Sequence, residues 1–419
     1  MSDPRPAAAS ASPQSPSAGS LYWLAGAVFL QMLPATLLTP AIRPLFATFH
    51  AGAEGPMHAF MSLNMLGAIL TTPLVARLVS TSTSVGLGRW LMVLGGVDAA
   101  LLIVISLPLA TSLVLGLRTL EGAAHLGAST LLLSRAAAYK PLVGAGRAMG
   151  MAGGAVMMAI AIGSGLGGLL VGVNPRLPFL VGAALSVIVA LAAPRLYATP
   201  IAAEDGAEAY RRPSLRNADV LVPLSAAFVE RFTVGLIIVT FALFATKAHG
   251  LSDRSIGLLY SMLLLPFALL MYPASRIGDR IPRAILLGGG TLLYGGAIAS
   301  LALAPRNGLA VSMVLAGVAS SLMYGTVLCY SVTLAPAAAR GRMMALVNTA
   351  GAVGMLLGPM VGGVLVALGR GGPDPLQAYR NVFFLAGLVC ALWVALCSPW
   401  LAARLAIERG THGSAPPPD

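Results

Sequence analysis

Twelve apolar stretches follow one another along this chain, parted by short polar turns. Their limits fall near 21–43, 57–78, 90–107, 109–134, 148–173, 177–195, 221–246, 255–275, 284–305, 308–335, 343–369 and 381–403. A helix needs roughly 20 apolar residues to cross a hydrocarbon layer about 30 Å thick. No water in that layer can satisfy an open strand edge. The pattern therefore predicts an all-α integral membrane protein. The longest interior polar stretch, 196–220, divides the segments six and six. It reads as a cytoplasmic linker between two six-helix bundles, 21–195 and 221–403. The Ala/Ser/Pro-rich residues 1–20 and the stretch 404–419, ending HGSAPPPD, read as tails. Residues 1–20 have neither an apolar core nor a basic leader, so they do not resemble a cleaved signal peptide.

The halves carry one pattern twice, 195 positions apart. Arg147, Met149, Gly163, Gly167 and Gly168 in segment five match Arg342, Met344, Gly358, Gly362 and Gly363 in segment eleven. Pro141 and Gly146 match Pro336 and Gly341 at the same offset. A membrane chain built as two similar halves can rock them about a shared centre and open it to either side in turn. Glycines four apart let helix backbones approach closely in lipid. Gly354, Gly358 and Gly362 form one such face, with Pro359 breaking the hydrogen-bond ladder beside it. That face reads equally as static packing or as a surface on which the halves slide.

Composition agrees: 57% of residues are hydrophobic and 10% charged, with a mean hydropathy of +0.85, against about 25% charged in soluble domains. The formal net charge of +12 over 419 residues comes from scattered arginines and two lysines. That scatter points to loop anchors rather than nucleic-acid binding. With the N-terminus inside, seventeen basic residues fall in cytoplasmic regions and seven outside, the bias that orients membrane proteins. The expectation is a multi-pass protein of the cell (inner or plasma) membrane with both termini cytoplasmic, working as a monomer. Cys329, Cys390 and Cys397 lie in apolar stretches without CxxC pairing and read as packing residues. There is no GxxxxGK[ST] loop, no cluster with metal-ligand spacing and no implied cofactor, so an enzyme is not expected.

Ionisable residues deep in a membrane cost a few kcal/mol or more unless paired or hydrated, so they mark pathways. Segment four carries Arg118, Glu121 and His125, whose spacing places them on one helix face. Segment seven carries Glu230 and Arg231, and Glu230 lies roughly 14 Å into the core, near its midplane. Asp98 in segment three is also deep and reads as a structural hydrogen-bonding group. A carboxyl that loses its water holds a proton more firmly, and a nearby guanidinium opposes this. Glu121 beside Arg118, or Glu230 beside Arg231, is thus the expected proton carrier, with His125 a weaker candidate; the alternative is that Arg118–Glu121 is a static intrahelical ion pair. Polar candidates for a cargo cavity are Gln31, Asn64, Arg231, Tyr324, Tyr330 and Asn348. They stand among Met157, Met158, Phe241, Phe244, Met262 and Met323.

Four stretches carry a family likeness. SRIGDRIPR after segment eight places Asp279, Arg280 and Arg283 as in a GxxxDRxGRR gating loop, with Ser275 where glycine is usual. RTLEGAAHLG supplies Arg118 and Gly122 of an RxxxG motif. GMLLGPMVGG supplies Gly354, Gly358, Pro359, Gly362 and Gly363 of a GxxxGPxxGG pattern, for which segment five has Ser164 in place of the proline. LPATLLTPAIRP loosely resembles a proline-bearing first helix. On these residues the chain resembles the major facilitator superfamily, nearest in motifs to its drug:proton antiporter branch. The resemblance implies twelve helices in two pseudo-repeat bundles, a role for Arg118 in tuning the proton site, and gating by Asp279, Arg280 and Arg283. The loop after segment two, ARLVSTSTSVGLGRW, lacks the family's acid, which implies a weaker cytoplasmic latch. The expected function is proton-coupled efflux of small amphipathic organic molecules by alternating access, with a small-molecule substrate, protons and the lipid bilayer as partners. Uptake or exchange of an organic anion or metabolite is one alternative. A transporter-like scaffold or sensor is another.

Overall fold

A computed structural model describes residues 18–49, 52, 54–139, 142, 145–198, 217–277, 281–334, 340–369 and 371–412. Among them the chain is helical: α1 Ala18–Leu37, α2 Ile42–Phe49, α3 Glu54–Thr81, α4 Ser84–Ile105, α5 Thr111–Ala138, α6 Ala145–Val171 and α7 Leu177–Leu196. The second set is α8 Ala218–His249, α9 Asp253–Ile277, α10 Arg283–Ser300, α11 Gly308–Thr333, α12 Arg340–Gly369 and α13 Gln377–His412. The first apolar segment is broken. A 3-10 turn at Thr39–Ala41 links α1 to α2, because Pro40 has no N–H for the helical ladder. Among the described residues, ten helical stretches are long and apolar enough to cross a membrane. The remaining two of the twelve are α5, diluted by Arg118, Glu121 and His125, and the short α10.

The last helix runs past position 403, where the sequence places a tail. Its polar end is held: Arg404 pairs with Asp219 at 2.5 Å, and Glu408 accepts from Tyr330 Oη at 2.7 Å and from the Ala284 N–H at 3.1 Å. Most of the linker lies outside the described residues.

The two halves pack alike. In the first, α1 lies on α6, α3 on α5 and α4 on α7; in the second, α8 lies on α12, α9 on α11 and α10 on α13. The halves meet through α6 against α9 and α3 against α12. Both junctions sit toward the face opposite the chain termini, and polar links join them there. Arg43 grips Asp253 with Nε at 2.9 Å and a terminal nitrogen at 2.7 Å. Glu54 takes Lys247 Nζ and, at 2.7 Å, the Tyr379 hydroxyl. His58 Nε2 meets Thr240 Oγ1 at 3.2 Å, and Ser261 donates to the Ala161 carbonyl at 3.2 Å. This conformer is closed at that face.

The repeated glycines show how the packing is achieved. A Cβ on Gly167 would stand 2.0 Å from the Leu37 carbonyl oxygen of α1, and one on Gly358 would stand 2.4 Å from the Phe232 oxygen of α8. Gly354 and Gly362 also face α8. The next position turns outward: Gly168 lies against Gly257, and Gly363 against His58, each across the junction of the halves. The stripe therefore holds both roles, packing within each half and contact between them.

Candidate functional site

The first polar centre is built on α5. Gly122 lets the α3 backbone close on α5, where a Cβ would meet the Asn64 carbonyl oxygen at 2.1 Å. That approach brings the Asn64 amide 2.9 Å from Glu121 Oε2, which also receives the Arg118 guanidinium. Arg118 lies 4.6 Å over the Phe60 ring. One turn further on, His125 Nδ1 is 3.1 Å from Asp98 Oδ2. The same oxygen accepts from Ser186 Oγ at 2.7 Å and Gln31 Nε2 at 3.2 Å. Arg118, Glu121 and His125 are all buried, as their spacing in the sequence predicts for one face of α5, and Asp98 of α4 is buried beside them.

Gln31 is a correction. The sequence suggests it lines the cavity, yet it is fully buried and its amide binds Asp98 inside the first bundle. Asn64 likewise serves Glu121. Asp98, which reads as a plain structural group along the chain, gathers groups from α1, α5 and α7 on one of its oxygens. No spacing rule finds that, because its partners lie 27, 67 and 88 positions away. Ligand atoms of Asp98, Glu121 and His125 lie within 4.8 Å of one another, close enough for a cation. Arg118 already brings a fixed positive charge to Glu121, which works against a divalent ion there.

The second centre is on α8. Buried Glu230 accepts from Ser320 Oγ at 3.0 Å and pairs with Arg231 Nε at 3.2 Å. The Arg231 side chain is 26% exposed and its guanidinium lies 4.9 Å over the Tyr324 ring. Gly351 of α12 leaves room for its stem, since a Cβ there would meet Arg231 Cγ at 3.1 Å. Phe228 and Phe232 stack at 5.6 Å on the same helix. Asn348, Met158 and Met262 are exposed, whereas Tyr330, Phe241, Phe244 and Met323 are core residues. Arg283 begins α10. Asp279 and Arg280 of the expected gating loop lie outside the described residues.

Two helical bundles of like packing, each with a buried ion cluster, define the transporter architecture of inverted or repeated halves. The family model for the Major Facilitator Superfamily matches residues 24–221 and 223–417, and the chain belongs to that family. It is a multi-pass membrane protein of the secondary-transporter class. None of the curated proteins matches it in sequence. Solved structures similar in fold include a bacterial homologue of the human lysosomal transporter Spinster, inward-facing and occupied. That structure is 17% identical over 92% of this chain and 96% of its own, with a TM-score of 0.76. A mutant form of the nucleoside transporter NupG is 13% identical over 92% and 99%, with a TM-score of 0.74. A D-xylose–proton symporter is 14% identical over 89% and 97%, with a TM-score of 0.69.

Proposed function

We propose that the chain is a proton-coupled exporter of small amphipathic organic molecules in the cell membrane, both termini cytoplasmic, working as a monomer. One observation carries this: fully buried acids sit beside arginines inside bundles that touch mainly at one face. A buried charge that gains and loses a proton changes the cost of each conformation, which is the requirement for coupling. With the termini inside, the conformer is inward-open, like the Spinster homologue it resembles in fold. Met158 and Met262, with the Phe228–Phe232 stack, give adaptable apolar wall material for varied cargo. In this reading the loop arginines and Asp279 latch the cytoplasmic side when the cavity faces outward.

Exchange or uptake of an organic anion is a second reading, favoured by the partly exposed Arg231 guanidinium. The test uses purified protein in liposomes with an imposed pH gradient, ethidium as cationic cargo and benzoate as anionic cargo. Gradient-driven ethidium movement, abolished by collapsing ΔpH and voltage, is the expected result. Benzoate movement alone selects the second reading, and unchanged ethidium transport after collapse refutes proton coupling.

A further inference from the structure

Counting formal charge separates the two buried centres. In the second half Glu230 and Arg231 cancel, and the other polar groups beside them, Ser320, Tyr294 and Tyr324, are neutral. In the first half two carboxylates, Asp98 and Glu121, face a single guanidinium, Arg118. Among the described residues, the surrounding helices add only neutral groups: Gln31 from α1, Asn64 from α3, Ser129 from α5 and Ser186 from α7. With a neutral imidazole this centre holds an uncompensated negative charge, all its side chains 3% exposed or less. An unpaired buried charge costs several kcal/mol. One added proton removes that cost.

Hydrogen-bond directions say where the proton goes. An ionised Asp98 only accepts, so the imidazole must present Nδ1–H to Oδ2. The Gln31 amide nitrogen lies 3.2 Å from Asp98 Oδ2, 3.3 Å from His125 Nδ1 and 3.5 Å from the His125 carbonyl, and its two hydrogens are taken by the two oxygens once Nδ1 carries a proton. The ring atom left to change is Nε2, which, like Asp98 Oδ1 beside it, has no hydrogen-bond partner among the described residues. We infer that His125 Nε2, held by Asp98, is the exchangeable proton site, and that Glu230 is a fixed partner of Arg231. This rests on the proton-coupled reading above. Water on one face delivers a proton to the Nε2 lone pair and forms the imidazolium. When the bundles re-orient, the Nε2–H bond breaks and the proton returns to water on the other face. Asp98 acts as a positioning residue. Its ties to α1, α5 and α7 carry the charge change into helices that move with the first half.

Nitrogen-15 NMR of the histidine rings tests this in the full-length protein in lipid, with the proton itself as probe. The His125 ring, assigned by the signal missing in His125→Gln, is expected doubly protonated at neutral pH. Asp98→Asn and Glu121→Gln each remove one negative charge, and each should return the ring to its neutral form. Glu230→Gln should leave it doubly protonated. A neutral ring in the wild type overturns the inference, as does a ring unmoved by the charge-removing variants or moved equally by Glu230→Gln. Should Asp98→Asn fail to fold, Glu121→Gln gives the same reading. A ring that answers to sodium chloride rather than to pH assigns the site to a metal cation and also overturns it. No cargo is involved, so failed ethidium transport leaves this result standing, and a neutral His125 leaves the transport result standing.

Discussion

Neighbouring glycines in α6 should answer differently to one added methyl group. At Gly167 the new Cβ starts 2.0 Å from the Leu37 carbonyl oxygen, and ordinary contact begins at 3.4 Å, so α1 and α6 must part by about 1.4 Å. The obstacle is backbone within one bundle and cannot turn aside. Overpacking of this kind costs about 1–3 kcal/mol, while replacing glycine inside a helix returns about 0.8–1 kcal/mol. The clash wins, and Gly167→Ala should lower the melting temperature by several degrees. At Gly168 the nearest atoms are Gly257 Cα at 3.0 Å and the Arg254 and Asp253 oxygens at 3.2 Å, all in the other half. A few tenths of an ångström suffice, and the halves can separate to give it. Helix gain and contact cost then nearly cancel in stability. A closed-face penalty of about 1 kcal/mol shifts the conformational ratio about fivefold. Gly116, with nothing within 4 Å, is the control and should be neutral or mildly stabilised. Thermal unfolding in detergent and spin-label distances across the two faces read the two effects apart. Equal loss of melting temperature at Gly167 and Gly168, or none at Gly167 beyond the control, refutes the division of the stripe.

Glu54→Gln should open the face opposite the termini, because Lys247 and Tyr379 then lose the carboxylate they share. Bonds to a charged group are worth about 1.5–3 kcal/mol, but the Lys247 side chain is 47% exposed. Discounted for that exposure to about 1–2 kcal/mol, the latch should lose roughly 5- to 30-fold in closed population by spin-label distance. Arg231→Gln leaves Glu230 buried without its counter-charge and should cost about 3–5 kcal/mol in folding stability. Glu230→Gln/Arg231→Gln together should recover most of it in thermal unfolding, and a double variant no better than the single one refutes the pair's mutual dependence. Trimming Arg404 to Ala should fray the end of α13 by releasing Asp219, seen as faster hydrogen exchange after position 403.

Much of this fold is legible along the chain, since hydropathy counts the spans and the 195-residue repeat gives the two halves. What hydropathy cannot show is a polar segment held by tertiary partners. Positions 404–412 read as a tail until Asp219 and Tyr330 are seen to hold them. The site divides the same way. Arg118, Glu121 and His125 declare themselves by helical spacing, because their neighbours are local. Asp98, Gln31 and Ser186 come from three other helices, and only the fold shows that one oxygen binds them together. The latch on the opposite face is hidden for the same reason. Glu54 and Lys247 stand 193 positions apart, and each alone looks like a charge at a helix end. The glycine stripe marks a finer limit. Adjacent helical residues are about 100° apart around the axis, so Gly362 and Gly363 face different bundles although the motif names them together.

The halves agree in backbone and differ in charge, and that difference matters for how such a machine works. Gly163 and Gly167 seat α6 on α1 as Gly358 and Gly362 seat α12 on α8, while Gly168 and Gly363 meet the opposite half. Equivalent packing gives two bundles of similar stiffness that can tilt about a common junction. Packing alone would leave the two orientations free to interconvert whatever is bound. Coupling needs one element whose cost depends on its occupancy. In the proposed reading a centre with an odd number of charges supplies this, since its burial is favourable with the proton and costly without it. The Glu230–Arg231 pair carries no net formal charge, and its guanidinium is partly exposed. In the proton-coupled reading proposed above, the asymmetric placement of Asp98 is what makes a symmetric scaffold a coupled one.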